Sequence, residues 1–122
     1  MAKARPVPAD DHLPLKPLVF EVLLALVEGE RHGWSLVRDV QQRGGFGRIM
    51  PGNFYRTLRG MLADGLIEEA PQRDKPKANE ADERRRYFRL TAAGSSAAAS
   101  EARRLEALVL ESRAKRLLTK RG

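Results

Sequence analysis

The chain has 122 residues, of which 42% are hydrophobic and 32% charged, with a formal net charge of +7. That length predicts one domain with a modest core, and the charge predicts a polyanionic partner. Cysteine is absent, which excludes a disulfide framework, a thiolate nucleophile and a Cys-based zinc site. No apolar run is long enough to cross a bilayer, and MAKARPVPADDH lacks the apolar stretch of a secretory signal. A cytoplasmic protein with no membrane partner is expected.

Residues 1–12 show no periodicity and are read as a flexible arm, with Lys3 and Arg5 part of it. Leu15, Leu18, Val19, Val22, Leu23, Leu26 and Val27 then recur at spacings of three and four, one broad apolar helical face. Pro14 and Pro17 suit the first turn of that helix, where a missing N–H costs nothing, and Gly29 suits its end. Glu30 to Gly33 reads as a short connection. A second helix follows from about Gly33 to Gln42, expected to turn Trp34, Leu36, Val37 and Val40 inward. Gly44, Gly45 and Gly47 break it. The turn region carries Arg43 and Arg48, and no acidic residue occurs from Val40 to Ala63.

A third helix starts near Pro51 and stops at Gly65. Phe54, Leu58, Met61 and Leu62 fall at i, i+4, i+7 and i+8, so they share a buried face. The other face holds Asn53, Arg56, Thr57, Arg59 and Gly60, with Tyr55 near the boundary. Asn pairs with adenine, Arg with guanine, and a Thr methyl meets a thymine methyl. An ordinary solvated face mixes signs of charge, whereas this one is cationic until Asp64. Recognition of bases is the favoured reading.

Leu66 to Ala70 and Arg84 to Thr91 read as two strands. The polar loop from Pro71 to Glu83 carries Arg73, Lys75 and Lys77, and Arg84, Arg85 and Arg86 follow as the chain returns. Helix, strand, basic loop and strand in this order make the plan of a winged helix-turn-helix. Its cationic hairpin would neutralise phosphates beside a groove-reading helix.

Thr91 is the expected N-cap of a last helix running to about Leu118. Ala98, Ala102, Leu105, Val109 and Ser112 follow a seven-residue rhythm, and Leu108 widens the stripe. Such a stripe on a projecting helix predicts a second copy as its partner. Leu15 and Val19 are expected to join that dimer interface. The competing expectation is that the helix packs back on its own first helix. The fold class is therefore mainly α with a small β-hairpin. Its expected organisation is an arm (1–12), a winged helix-turn-helix domain (13–91), and a C-terminal dimerisation helix with a basic tail (92–122).

Three stretches resemble the PadR family of bacterial transcription regulators: RHGWSLVRDV (31–40), PGNFYRTLRGMLADGLIEE (51–69) and RRRYFRLTAAG (84–94). The corresponding family patterns read HGYEL, PGTLYPALRRLEEEGLI and RRYYRLTEAG. The resemblance covers about Leu18 to Gly94, with three motifs in order. It implies a repressor, dimeric through its C-terminal helix, that binds a roughly palindromic operator. It also implies release by a small effector near the dimer interface. Trp34 stands where the family pattern has Tyr, Arg56 where Pro is common, and Gly60 where Arg is common. The C-terminal helix carries no aromatic residue, which argues against a flat-ligand pore built from Trp on that helix.

Two rival function classes stand beside this reading. Catalysis needs a clustered acid, base or nucleophile. The histidines are His12, in the arm, and His32, read as a capping or packing residue, while Ser35, Ser95 and Ser96 lack a paired base. No catalytic, cofactor-binding or metal site is expected. A winged domain that binds protein rather than DNA is the second alternative, and an acidic or neutral third helix would mark it.

Overall fold

The computed structural model describes residues 12–43, 47–70 and 86–118. The expectations for the arm before His12, for the wing residues Arg73, Lys75, Lys77, Arg84 and Arg85, and for the tail after Leu118 lie outside these residues.

Helix α1 spans Pro17–Leu26, with Pro17 in its first turn and Lys16 in extended backbone before it. Its Val22, Leu23, Ala25 and Leu26 are buried. Val27, expected on the same face, is exposed because the helix has already ended at Leu26. Gly29 follows with φ +143, a left-handed value that favours glycine.

Arg31–His32 is not a loop. It is strand β1, paired antiparallel with strand β3 (Tyr87–Leu90), Arg31 opposite Phe88 and His32 opposite Tyr87. Strand β2 (Ile67–Ala70) pairs with the other edge of β3, from Ile67 opposite Leu90 to Ala70 opposite Tyr87. The expected hairpin is thus a three-stranded sheet in the order β1-β3-β2. A two-residue strand is too short to carry a period-two signal, so its pairing appears only in three dimensions.

Helix α2 spans Gly33–Arg43 and buries Leu36 and Val40 completely. Trp34 was expected inward but is 41% exposed. At about 100° per residue it sits roughly 160° round the helix from Leu36, so the two cannot share a face. Helix α3 spans Pro51–Ala63 and buries Phe54, Leu58 and Met61, with Leu62 half-buried at the edge. Gly65, at φ +78, makes the turn out of it.

Helix α4 spans Ala92–Ala114, ending before the expected Leu118. Its N-cap is Thr91, whose hydroxyl accepts from the Gly94 N–H at 3.0 Å. Ala97, Ala98 and Glu101 are buried, and α4 packs on α1 over this first part. The core is therefore shared by all four helices and the sheet. Its largest fully buried side chains include Phe54, Phe88, Leu23, Leu36, Leu58 and Ile67.

Candidate nucleic-acid interface

Helix α3 is positioned from its start by one side chain. Gln41, near the end of α2, donates through Nε2 to the Gly47 carbonyl and accepts through Oε1 from the Ile49 N–H at 2.7 Å. Both ends of the amide thus hold the loop between α2 and α3. Ile49 is buried beneath it, and Pro51 then begins α3. Arg48, between the two held residues, is exposed.

The outward side of α3 carries the residues expected there. Asn53, Arg56, Arg59 and Gly60 are exposed, while Thr57 and Tyr55 are half-buried. Thr57 donates its hydroxyl to the Asn53 carbonyl at 3.0 Å, which leaves that oxygen able to accept. The Tyr55 ring meets Phe54 edge-on, with centroids 5.8 Å apart. The outward residues divide between two flanks. Asn53, Arg56, Thr57, Gly60 and Asp64 line a groove against the segment that enters α1. Tyr55 and Arg59 lie about 160–200° round the helix from Thr57, on the other flank.

The cations of the sheet and its neighbours are differently placed. Arg31 pairs with Asp39, Arg43 with Glu21 at 2.6 Å, and Arg89 with Glu68 at 2.8 Å and Glu30 at 3.6 Å. Arg86, the described member of the wing arginines, lies 3.4 Å from a Glu69 carboxylate oxygen. Its charge is partly offset there, so of the expected phosphate contacts it is already shared with the protein. Among the described residues Arg48 and Arg56 have no such carboxylate partner.

His32 lies between aromatic rings, 4.0 Å from the Tyr87 centroid and 5.9 Å from that of Trp34. Burial lowers its pKa below the ordinary value. The Arg38 guanidinium stands over the Trp34 ring, 4.8 Å from its centroid. The packing expected of His32 is what the structure shows.

The expected dimer residues separate into two groups. Leu15 and Ala98 are buried in the chain's own core, 8% and 7% exposed, and offer little area to a partner. The first half of α4 does pack back on α1, because Ala97 and Ala98 are small enough for close approach. Val19 and Leu105 are half-buried, and Ala102, Leu108 and Val109 are exposed. Two positioning residues were missed in the sequence. One is Gln41. The other is Glu101, only 2% exposed, which accepts from Arg104 at 2.8 Å through each oxygen and from the Leu15 backbone N–H. A lone Gln or Glu at a helical position carries no pattern that would single it out.

A helical turn unit, α2 and α3, set against a three-stranded antiparallel sheet defines a winged helix-turn-helix protein. Residues 22–100 match the transcriptional regulator PadR-like family. The chain is 32% identical over 90 residues to transcriptional regulator Rv3488 of Mycobacterium tuberculosis, covering 74% of this chain and 77% of that protein. The chain belongs to the PadR-like family of transcriptional regulators, and DNA-binding regulation is its function class. Its fold is similar to that of a PadR family regulator from Clostridium difficile, with a TM-score of 0.66, 16% identity, and coverage of 80% of this chain and 96% of that one. It is also similar to the putative transcriptional regulator TA0346 of Thermoplasma acidophilum, with a TM-score of 0.59, 21% identity, and coverage of 84% and 92%. Among the described residues no helix is long and apolar enough to cross a membrane.

Proposed function

We propose that this chain is a sequence-specific repressor that binds a palindromic operator in the cytoplasm as a homodimer. The observation that carries this reading is the outward side of α3. It exposes Asn53 and Arg56, and among the described residues no carboxylate pairs with Arg56, while Arg31, Arg86 and Arg89 of the sheet and its neighbours are held by Asp39, Glu69, Glu68 and Glu30. Arg56 and Asn53 read base edges, Tyr55 and Thr57 meet phosphates or neighbouring bases, and Arg48 contacts the backbone. Arg73, Lys75, Lys77, Arg84 and Arg85 neutralise phosphates from the wing, with Arg86 at its base.

The second copy is supported by α4. Beyond Glu101 the helix continues to Ala114 with Leu108 51%, Val109 42% and Leu110 60% exposed. That stretch is about 20 Å long at 1.5 Å per residue, and among the described residues nothing covers Leu108, Val109 or Leu110 to the point of burial. Pairing it with a second copy, with Ala102 and Leu105 in the seam, buries the stripe. The two α3 helices of such a dimer then read half-sites one helical turn apart, about 34 Å. Residues 13–91 then form the reading unit and 92–122 the dimerisation element.

The test is binding of a labelled duplex from the protein's own upstream region across a salt series. Affinity should fall steeply with salt, and Arg56→Ala should change the base preference. Changing Lys75 and Lys77 together should weaken all duplexes alike and lower the salt slope by about two. A duplex affinity indifferent to salt would sink the reading. Sedimentation of a Leu108→Glu, Val109→Glu variant should show a monomer where the parent is a dimer.

A further inference from the structure

A groove of about 420 Å³ opens between the segment that enters α1 and one flank of α3. That volume is ordinary for a small-molecule site. Its apolar wall is Leu15, Val19, Met61 and Leu66. Its polar wall holds Lys16 and Arg56, with Asn53 and Thr57 alongside and Asp64 the one carboxylate. Among the described residues no carboxylate pairs with Lys16 or Arg56. His12 also lines the groove, and its Nε2 is buried with no hydrogen-bond partner among the described residues.

We propose that this groove binds a small carboxylic acid with an unbranched aliphatic body, and that its binding releases DNA. The release half rests on the DNA-reading role given above to α3. The carboxylate is drawn by Lys16 and Arg56, which outnumber Asp64, and His12 Nε2 supplies a further hydrogen-bonding partner. The body is aliphatic because Leu, Val and Met form the wall and, among the described residues, no Phe, Tyr or Trp lines it for a flat ring to stack upon. Met61 adapts its shape to a flexible chain. Asn53, Arg56 and Thr57 belong both to the groove and to the proposed base-reading side. An acid that engages Arg56 therefore takes a cation and a donor away from DNA.

Gly60 provides a way to close the groove without disturbing the fold. A Cβ there meets nothing within 4 Å. Gly60→Met fills the space from a helix position that favours Met over Gly.

The experiment uses decanoate as the probe, below its micelle concentration, with decanol as the uncharged control. Calorimetry without DNA should show one decanoate per chain, with decanol about tenfold weaker, as expected for a lost charge-assisted contact. Lys16→Gln should weaken decanoate several-fold, and Gly60→Met should abolish its binding while the thermal melt stays cooperative. Polarisation of the labelled operator should then fall as decanoate is added to the parent protein. No heat at millimolar decanoate, equal binding of decanol, or binding undiminished in Gly60→Met would each overturn the site. Loss of the dimer in Gly60→Met, with no decanoate heat in the parent, would make the groove a contact with the second copy and overturn it too. Decanoate binding with unchanged operator affinity overturns the release. A parent protein that binds no duplex overturns the DNA reading alone, since calorimetry still reads the groove.

Discussion

The Thr91 hydroxyl donates to the Gly65 carbonyl at 2.6 Å while accepting from the Gly94 N–H at 3.0 Å. One oxygen thus caps α4 and ties it to the turn that ends α3. The Thr91 N–H adds a third bond, to the Leu66 carbonyl at 3.2 Å. The proposed reading helix and the proposed dimerisation helix are joined at this point, beside the strands that lead to the wing.

Thr91→Ala should therefore cost about 1–2 kcal/mol, a lost cap together with an unpaired acceptor at Gly65. Thr91→Ser should retain most of the stability because its hydroxyl reaches the same two partners. Urea denaturation of the two variants checks this, and equal losses would show that the methyl matters more than the oxygen.

The same substitution at two glycines should act in opposite directions. A Cβ on Gly94 would lie 1.9 Å from the Leu66 carbonyl oxygen, a backbone atom that cannot swing away. Gly94→Ala should cost about 3 kcal/mol, the upper end for overpacking, or prevent folding. Gly60, with open space around it, should gain roughly 0.5–1 kcal/mol as Ala. Thermal melts that rank the two the other way would contradict the packing of α4 against the end of α3.

Stability should fall in acid in two separate windows. Burial lowers the pKa of His32 in the folded state below its ordinary 6.5, so the unfolded chain takes up that proton first. Stability therefore declines as pH falls from about 6.5, until the folded form is protonated as well. The Glu101 carboxyl is also lowered, chiefly by hydrogen bonding from Arg104, with the Leu15 N–H adding to it against the opposing effect of burial. Its contribution is present above its ordinary value of 4.5 and is lost as pH falls below that. Melting temperature against pH should show both declines. His32→Phe should remove the upper one and Glu101→Gln the lower one, the latter costing about 1–3 kcal/mol at neutral pH.

Gln41 and Arg48 should separate folding from DNA contact. Gln41→Ala removes both bonds that hold Gly47 and Ile49 and should cost about 1–2 kcal/mol. Arg48→Ala removes an exposed cation with no carboxylate partner among the described residues and should leave stability within about 0.5 kcal/mol. On the proposed interface it lowers the slope of log affinity against log salt by about 0.9. An unchanged slope would place Arg48 off the DNA.

Periodicity marked α1, α2 and α3 because each has a stripe of large apolar residues at three- and four-residue spacing, and those stripes meet in one core. Thr91 was legible as a cap because Ser and Thr at that position satisfy an orphan N–H whatever the tertiary context. The outward cations of α3 were legible for a similar local reason, since a residue opposite a buried face is left exposed. β1 was not legible, because two residues show no pattern and their pairing partner lies more than fifty positions away. The exposure of Trp34 was not legible, because a large apolar side chain favours burial while its angle round the helix puts it outside. The split of Leu15 and Ala98 from Leu108 and Val109 was hidden as well: one apolar stripe continues through both, and only the reach of α1 decides where the chain stops covering it.

The amino-acid order by itself thus determined what depends on near neighbours: the helical faces, the cap, the turn glycines, the charge of α3 and the three motifs that mark the family. The tertiary structure decided what depends on distant residues brought into contact. It matched carboxylates to the cations of the sheet and, among the described residues, left Arg48 and Arg56 without such partners. It also ended the shared core at Glu101 and opened a groove beside the reading helix. Local pattern is a property of backbone geometry over a few residues, whereas pairing, burial and cavities arise only when segments far apart in the chain meet.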